Sequence, residues 1–297
     1  MRYSKQIRPR SWLQVTIKDL LTSGKATLAE KLIGPVDAEL ILAHLLGVTR
    51  MELHSRPIEK SDEELEIISE QFHAAIAERI SGIPTQYIVG EAAFRYLEYD
   101  VGPGVLIPRP ETELLVDEVL HHMAALAEPI SVVDLGAGTG AIAISIASES
   151  AGKKNVHVVA VEKSPEAAHW LNMNIARHDV NVRVVVEDVA TALEGVKCDI
   201  VTANPPYVPN EQELPPELSA EPAIALFGGP NDGMFAPKQF IAAAARLLKP
   251  GGFFAIEHNE IQGPAIAEAM ASDFETIALH SDLTDRPRFT TGVRKSY

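Results

Sequence analysis

The spacing of apolar residues divides the chain into two parts. In the N-terminal part they recur every three or four residues, which predicts helices near 14–32 and 37–46 and a third after Ser61. The third has the clearest signal, because Ser61 and Glu64 form a capping-box pair ahead of an apolar stripe made of Leu65, Ile68, Phe72, Ile76 and Ile80. We therefore expect a small helical bundle over residues 1–85.

From Ile130 onward, apolar runs alternate with helical stretches. Runs such as ISVVDL, VHVVAVE and CDIVTAN are rich in Val and Ile, which is typical of parallel strands covered by helices on both faces. FETIALHSDL and RPRFTTGVR follow each other without a helix and predict an antiparallel edge. Residues 111–297 are thus predicted to form an α/β domain with a Rossmann-like, mostly parallel sheet.

Residues 86–110 separate the two patterns. Glycines and prolines punctuate this segment, and the stretches 94–101 and 105–107 flank Gly102-Pro103-Gly104. We predict a β-hairpin linker with its turn at these three residues, followed by a helix that starts near Glu111 with acidic residues in its first turn.

Composition and charge narrow the range of functions. Cys198 is the single cysteine, so no internal disulfide can form, and its apolar surroundings indicate a buried strand residue. No apolar run is long enough to span a bilayer and the N-terminus lacks a secretory signal, so we expect a cytoplasmic protein without membrane contact. The histidines form no metal-ligand pattern, and we expect no metal.

The net charge of −15 is concentrated in the C-terminal part, where residues 91–297 hold 29 acidic and 15 basic side chains. Such a field repels phosphate backbones, so direct nucleic-acid binding is not expected. Residues 1–31 carry seven basic against two acidic side chains, which fits either a docking arm or a solvated terminus.

A glycine-rich turn follows the first strand of the predicted sheet. VVDLGAGTGAIAI places Gly136, Ala137, Gly138, Thr139 and Gly140 at the start of a helix, where a ligand can approach the backbone closely. The spacing differs from the G-x-G-x-x-G dinucleotide fingerprint, and a plain strand-to-helix connection is the alternative.

Two acidic residues end the next strands. Glu162 can accept hydrogen bonds from both ribose hydroxyls, and Asp188 can accept one from an adenine amino group; a cap and a solvated strand end are the alternatives. Together with the glycine spacing, Glu162 favours an adenosine ligand without a pyrophosphate. S-adenosylmethionine fits that description.

The motif Asn204-Pro205-Pro206-Tyr207 leaves the fourth strand beside this loop. Pro205 keeps Asn204 out of the helical region, and the prolines offer rigid carbonyl acceptors without N–H groups. We expect the Asn204 side-chain oxygen and the Pro205 carbonyl to bind the two hydrogens of a substrate NH₂ while the Tyr207 ring packs on its flat face. This arrangement fits methyl transfer by in-line displacement, driven mainly by positioning and without a strong base.

With these motifs, the chain resembles the bacterial release factor glutamine methyltransferase (HemK/PrmC) family over nearly its whole length. PTQYIVGEAAF, VLIPRPETELLV, LLKPGGFFAIEH and DL…RPRFTTGV are similar to family segments. The resemblance implies a helical N-terminal domain that docks the protein substrate and a class I methyltransferase domain. It also implies methylation of the glutamine in the Gly-Gly-Gln motif of class I peptide chain release factors. It assigns Gly136–Gly140, Glu162, Asp188 and Val189 to the cofactor and residues 204–207 to the glutamine.

The chain departs from the family pattern at a few positions. Glu162 replaces the more common aspartate, and Val189 stands where an aromatic residue often lies. The segment GGPNDG is longer than the corresponding family segment, and EHNEIQ differs from the common family form. We expect these differences to affect the periphery of the site more than its chemistry. Residues 208–237 have little periodicity and are predicted to help hold the protein substrate. Arg109 and Glu111 are expected to orient the linker, or to serve a salt bridge and a helix start.

Two other functions remain compatible with these motifs. An N-methyltransferase acting on an exocyclic amine of a nucleic-acid base would use the same loop, although the acidic catalytic part disfavours it. A non-catalytic adaptor that binds S-adenosylmethionine is the second, and the intact Asn204 disfavours that one.

Overall fold

The structure is a computed structural model that describes residues 16–296. The chain forms two compact units, divided in sequence between Val89 and Gly90. About half of the basic segment 1–31 lies outside the described residues. In the part of the chain that is described, no helix is both long and apolar enough to cross a membrane.

The N-terminal unit is built from five helices: α1 Ile17–Ala29, α2 Pro35–Leu46, α3 Arg50–Ser55, α4 Asp62–Ile80 and α5 Thr85–Val89. Capping boxes start α1, α3 and α4, and α4 uses the predicted Ser61 and Glu64 pair. Its core contains side chains that are at most 1% exposed, among them Leu20, Leu28, Ile41, Leu42 and Phe72. The three predicted helices are present, while α3 and α5 are too short for a periodic signal.

The C-terminal unit contains the remaining elements. Its strands are β1 Glu91–Phe94, β2 Leu97–Asp100, β3 Ile130–Leu135, β4 Val156–Val161, β5 Val182–Val185, β6 Cys198–Ala203, β7 Val208–Pro209, β8 Phe227–Gly229, β9 Leu248–Glu257, β10 Phe274–Ser281 and β11 Pro287–Arg294. Its helices are α6 Glu113–Ala124, α7 Ala141–Ser150, α8 Pro165–His178, α9 Pro216–Ser219, α10 Ala223–Leu226, α11 Phe235–Leu247 and α12 Gly263–Met270, with a 3₁₀ turn at Pro110–Thr112.

Seven strands form the central sheet in the order β10-β11-β9-β6-β3-β4-β5. The pairs β3–β4, β4–β5, β3–β6 and β6–β9 are parallel, and β11 is antiparallel to both of its neighbours. The mostly parallel, Rossmann-like sheet with an antiparallel C-terminal edge is therefore confirmed. Cys198 is buried at the start of β6, where burial raises the pKa of its thiol to about 12, in agreement with the role of a strand residue.

The strand order places the glycine-rich turn and the Asn-Pro-Pro-Tyr motif next to each other. The chain passes from β3 outward to β4 and β5, then returns to the other side of β3 as β6. In an open α/β sheet this reversal opens a crevice beyond the carboxyl ends of the two central strands. The glycine-rich turn follows β3 and the Asn-Pro-Pro-Tyr motif follows β6, so both border that crevice.

The hairpin of the linker has a different turn from the predicted one. β1 pairs with β2 through Glu91–Asp100 and Phe94–Leu97, so the turn lies at Arg95-Tyr96 rather than at 102–104. Arg95 has a positive φ of 54°, and its guanidinium donates hydrogen bonds to Glu149 and Asp117. The predicted pairing of 94–101 with 105–107 is wrong, because side-chain anchors distant in sequence fix the turn at Arg95.

Candidate active site

The glycine-rich loop is held by its own backbone. Gly136, Gly138 and Gly140 have φ values of 69°, 56° and 87°, in the left-handed region that favours glycine. The N–H groups of Gly136 and Ala137 both donate to the carbonyl of Val161, at 2.8 and 3.0 Å. A Cβ on Gly136 would lie 3.0 Å from the Phe240 ring. The loop is therefore a surface without side chains at these three positions, suited to close approach by a ligand.

Glu162 joins this loop to the end of β4. Its Oε2 accepts the Gly138 N–H at 2.9 Å, and its Oε1 accepts the Ser164 N–H at 2.8 Å. Each carboxylate oxygen has a further lone pair, so Glu162 can still accept the two hydroxyls of a ribose. Its environment fits the predicted cofactor contact.

Asp188 and Val189 follow β5 and differ in exposure. The Asp188 side chain is 48% exposed and forms an ion pair with Lys163 at 3.1 Å. A hydrogen bond from the Ala190 N–H and the nearby Lys163 ammonium hold the pKa of Asp188 below its usual value. Val189 is buried in the core of the sheet. The ion pair with Lys163 was not predicted from the sequence.

The Asn-Pro-Pro-Tyr loop is supported from behind by side chains that are distant in sequence. Asn204 Nδ2 donates to Thr112 Oγ1 at 3.3 Å, and the Thr112 hydroxyl donates to Glu257 Oε2 at 2.5 Å. The Tyr207 hydroxyl lies 3.4 Å from Glu257 Oε1, and the Tyr207 carbonyl accepts a hydrogen bond from Gln262 Nε2 at 3.0 Å. The loop is thus fixed at its first and last residues.

Residues 208–237 pack on this loop. They contain β7, α9, α10 and β8, and β7 pairs in parallel with β8. A Cβ at Gly228 would lie 2.6 Å from the Pro206 carbonyl oxygen, and one at Gly233 would lie 2.2 Å from that of Tyr207. The glycines of GGPNDG therefore allow a close backbone contact with the Asn-Pro-Pro-Tyr loop, and such a contact leaves no periodic pattern in the sequence.

The linker is tied to the same segment through Glu221. This residue is 5% exposed; it forms an ion pair with Arg109 and accepts the Ile107 N–H at 2.9 Å. Arg109 thus forms a salt bridge, which was the alternative to an orienting role near the cofactor. The segment EHNEIQ, which was expected to affect the periphery, contributes directly to the site. Its Gln262 donates hydrogen bonds to the carbonyls of Tyr207 and Asp232.

One cavity of about 370 Å³ lies between the two loops. Most predicted site residues line it: Gly136, Ala137, Gly138, Thr139, Glu162, Asp188, Val189, Asn204 and Pro206. Three predicted residues, Gly140, Pro205 and Tyr207, are not part of its wall, and the Tyr207 hydroxyl is directed to Glu257. The glycine-rich loop and Asn204 therefore line the same cavity.

Two buried acids of the site were missed as functional residues. Asp134 lies in β3 just before the glycine loop; its Oδ1 accepts the Thr202 hydroxyl at 2.8 Å, and Oδ2 has no partner among residues 16–296. Burial raises the pKa of Asp134 to about 7, and it does the same for Glu257 at the end of β9. The sequence contained one indication of both residues: each is an acid inside or at the end of an apolar run, where burying an unpaired charge is unfavourable.

Family models match both parts of the chain. The model described as the methyltransferase small domain matches residues 110–218, and that described as the PrmC N-terminal domain matches residues 19–90. A methyltransferase domain of this kind takes its methyl group from S-adenosylmethionine, so the predicted cofactor is confirmed and the protein is an S-adenosylmethionine-dependent methyltransferase.

Curated relatives match nearly the full length. The chain is 40% identical to the release factor glutamine methyltransferase of Mycolicibacterium smegmatis over 293 residues, covering 97% of this chain and 98% of the relative. It is 38% identical to the enzyme of the same name from Bifidobacterium longum, covering 86% and 92%.

A solved structure supports the fold. A 16S rRNA N2 G1207 methyltransferase of T. thermophilus, in complex with AdoMet and guanosine, aligns with a TM-score of 0.50 at 21% identity, covering 69% of this chain and 50% of that one. At this identity the likeness concerns the fold alone. The two curated relatives, at 40% and 38% identity, show more than the fold: the chain belongs to the release factor glutamine methyltransferase family.

Proposed function

We propose that this protein methylates class I peptide chain release factors on the side-chain amide nitrogen of the glutamine in their Gly-Gly-Gln motif. The family membership and the names of its relatives support a release factor as substrate. One geometric observation supports an NH₂ group as the methyl acceptor. Asn204 is held through Nδ2, while within residues 16–296 no donor reaches its Oδ1, and the residue lines the cavity that the glycine loop borders.

In this proposal each group of site residues has a separate role. The cofactor is held by the glycine loop and the three strand ends, namely Gly136, Ala137, Gly138, Thr139, Gly140, Glu162, Asp188 and Val189, with Asn204 alongside. Within that set, Glu162 binds the ribose and Asp188 the adenine amino group. The glutamine is held by Asn204, Pro205, Pro206 and Tyr207.

The chemistry requires the substrate amide to be restrained. An amide nitrogen is a weak nucleophile, because its lone pair is delocalised into the carbonyl. Asn204 Oδ1 and the Pro205 carbonyl each accept one N–H, which localises the lone pair and directs it along one line. Bound S-adenosylmethionine supplies an electrophilic methyl carbon on its sulfonium. Positioning provides most of the acceleration, and the proton leaves the nitrogen after the transfer.

The rest of the chain serves the protein substrate in this proposal. Residues 1–85 form the docking domain, 86–110 the linker and 111–297 the methyltransferase domain. Residues 208–237 help to hold the release factor. This segment has five acidic and no basic side chains, and it places Ile224 and Phe235, 50% and 63% exposed, at the cavity. Because class I release factors act on ribosomes, the reaction would take place in the cytoplasm.

The direct test is incubation with S-adenosylmethionine and a purified class I release factor, followed by peptide mass spectrometry. We expect one methyl group on the glutamine of Gly-Gly-Gln and none on a release factor in which that glutamine is replaced by asparagine. An unmodified glutamine, under conditions where the cofactor binds, would reject the proposal. Methylation of ribosomal RNA in a parallel reaction would instead favour the base-amine alternative.

A further inference from the structure

A buried carboxylate lies at the end of β9, behind the proposed substrate loop, which consists of Asn204–Tyr207. Glu257 is 1% exposed, and each of its oxygens has a hydroxyl partner: Oε2 accepts from Thr112 at 2.5 Å, and Oε1 faces the Tyr207 hydroxyl at 3.4 Å. Burial raises the pKa of the Tyr207 phenol, so it remains a donor at neutral pH. Glu257 therefore accepts one hydrogen bond from Thr112 of the 3₁₀ turn and faces a second donor, Tyr207, in the substrate loop.

The single hydroxyl hydrogen of Thr112 determines which end of the Asn204 carboxamide faces Thr112. An ionised carboxylate can only accept, so the single hydroxyl hydrogen of Thr112 is directed to Glu257. Thr112 Oγ1 can then only accept a hydrogen bond from Asn204, which must offer its NH₂ group. With Nδ2 held on Thr112, the side-chain oxygen of Asn204 is the group left for a ligand.

We propose that Glu257, acting through the Thr112 hydroxyl, fixes the carboxamide of Asn204 with its oxygen available to the substrate amide. Thr112 and Glu257 are positioning residues here, since neither needs to touch the reacting atoms. The inference rests on the proposed function, because the value of an acceptor at Asn204 depends on an NH₂ substrate. It extends that function by assigning the orientation to two residues outside the motif.

The charges around Glu257 make this orientation dependent on pH. Burial raises the pKa of Glu257 to about 7, opposed by the Thr112 hydrogen bond and by Arg288 of β11, whereas Glu111 of the 3₁₀ turn raises it further. Burial also lowers the pKa of the adjacent His258 imidazole. When Glu257 is protonated it donates to Thr112, whose own hydrogen is then free to favour the flipped Asn204 amide. The competent orientation therefore belongs to the ionised form, and kcat falls as the pH drops through this pKa.

Two substitutions of Thr112 separate its hydroxyl from its volume. T112V is nearly isosteric but has no hydroxyl, and we expect kcat to fall by about 10- to 100-fold with the Kd for S-adenosylmethionine within about threefold of the wild type. T112S restores the hydroxyl, and we expect it to recover kcat to within about threefold. Equal kcat values for T112V and the wild-type protein would overturn the proposal.

The pH profile of E257Q provides a test that does not depend on the folding of T112V. Glutamine can accept from Thr112 and does not titrate, while Asp134, whose pKa is also raised to about 7, is unchanged in both proteins. We expect the ratio of wild-type to E257Q kcat to rise about tenfold between pH 6 and pH 8, as the ionised fraction of Glu257 grows from about one-tenth to about nine-tenths. A ratio that stays constant across this range would contradict a role for Glu257 ionisation.

These outcomes are distinguishable from a failure of the proposed function. All variants are assayed with a release factor that the wild-type protein has been shown to methylate. If the wild-type protein leaves the release factor unmodified, the proposed substrate is wrong. If it methylates the release factor and neither T112V nor the E257Q profile differs as described, the positioning by Glu257 is wrong while the substrate remains correct.

Discussion

The two loops that border the cavity are held in opposite ways. The glycine loop after β3 is fixed by bonds to the end of the adjacent strand β4: its N–H groups donate to the Val161 carbonyl, and Gly138 donates to Glu162, 24 positions away in sequence. The substrate loop after β6 depends on distant side chains. Asn204 contacts Thr112 across 92 positions, and Tyr207 contacts Glu257 and Gln262 across 50 and 55.

This difference indicates how specificity is distributed. A local glycine loop can recur in many methyltransferases, because it needs only one strand, one turn and one acidic strand end. The substrate loop is placed by Thr112 of the 3₁₀ turn, by Glu257 of β9 and by Gln262, which precedes α12. Changes at those remote positions should therefore alter catalysis without altering cofactor binding.

The largest expected effect comes from removing the acceptor itself. N204A deletes the side-chain oxygen that holds the substrate NH₂, and we expect kcat for release factor methylation to fall by about 100- to 1000-fold. Because the glycine loop and Glu162 stay intact, the calorimetric Kd for S-adenosylmethionine should change by less than about threefold. A variant with normal turnover would remove Asn204 from the mechanism.

The glycine loop offers a matched pair of substitutions. Gly136 and Gly138 both have positive φ, but a Cβ at Gly136 would meet Phe240 at 3.0 Å whereas one at Gly138 meets nothing within 4 Å. We expect G138A to lower the free energy of unfolding by about 1 kcal/mol from backbone strain, and G136A by about 2 to 3 kcal/mol. Chemical denaturation measures both. Equal losses would show that the contact with Phe240 is unimportant.

A smaller effect is expected behind the substrate loop. Gln262 is 5% exposed and donates to the carbonyls of Tyr207 and Asp232, at 3.0 and 2.7 Å. In Q262A both carbonyls lose a partner, and we expect about 1 to 2 kcal/mol lower stability and a decrease in kcat of about three- to tenfold. Q71A, on the exposed face of α4, is the matched control and should lie within about 0.5 kcal/mol of the wild type. If Q262A matches this control, Gln262 does not support the loop.

The sequence predicted the parts of the molecule that depend on local patterns. Continuous apolar runs gave the strands of the parallel sheet, and the Gly136–Gly140 and Asn204–Tyr207 motifs fell at its switch point, as the strand order confirms. The hairpin turn was misplaced because Gly102-Pro103-Gly104 has the composition of a turn, whereas Arg95 is anchored by Glu149, 54 positions away. Thr112 was missed for the same reason, since its hydrogen bond to Glu257 spans 145 positions and leaves no local signal.

The central claim is that the Asn204 side-chain oxygen receives the substrate amide. It is tested most directly by a high-resolution structure with the demethylated cofactor product and a glutamine peptide derived from a release factor. We expect the glutamine Nε2 at about 3 Å from Asn204 Oδ1, with Asn204 Nδ2 still on Thr112. A glutamine amide bound elsewhere in the cavity, or an Asn204 side chain turned so that Nδ2 faces the peptide, would contradict the account.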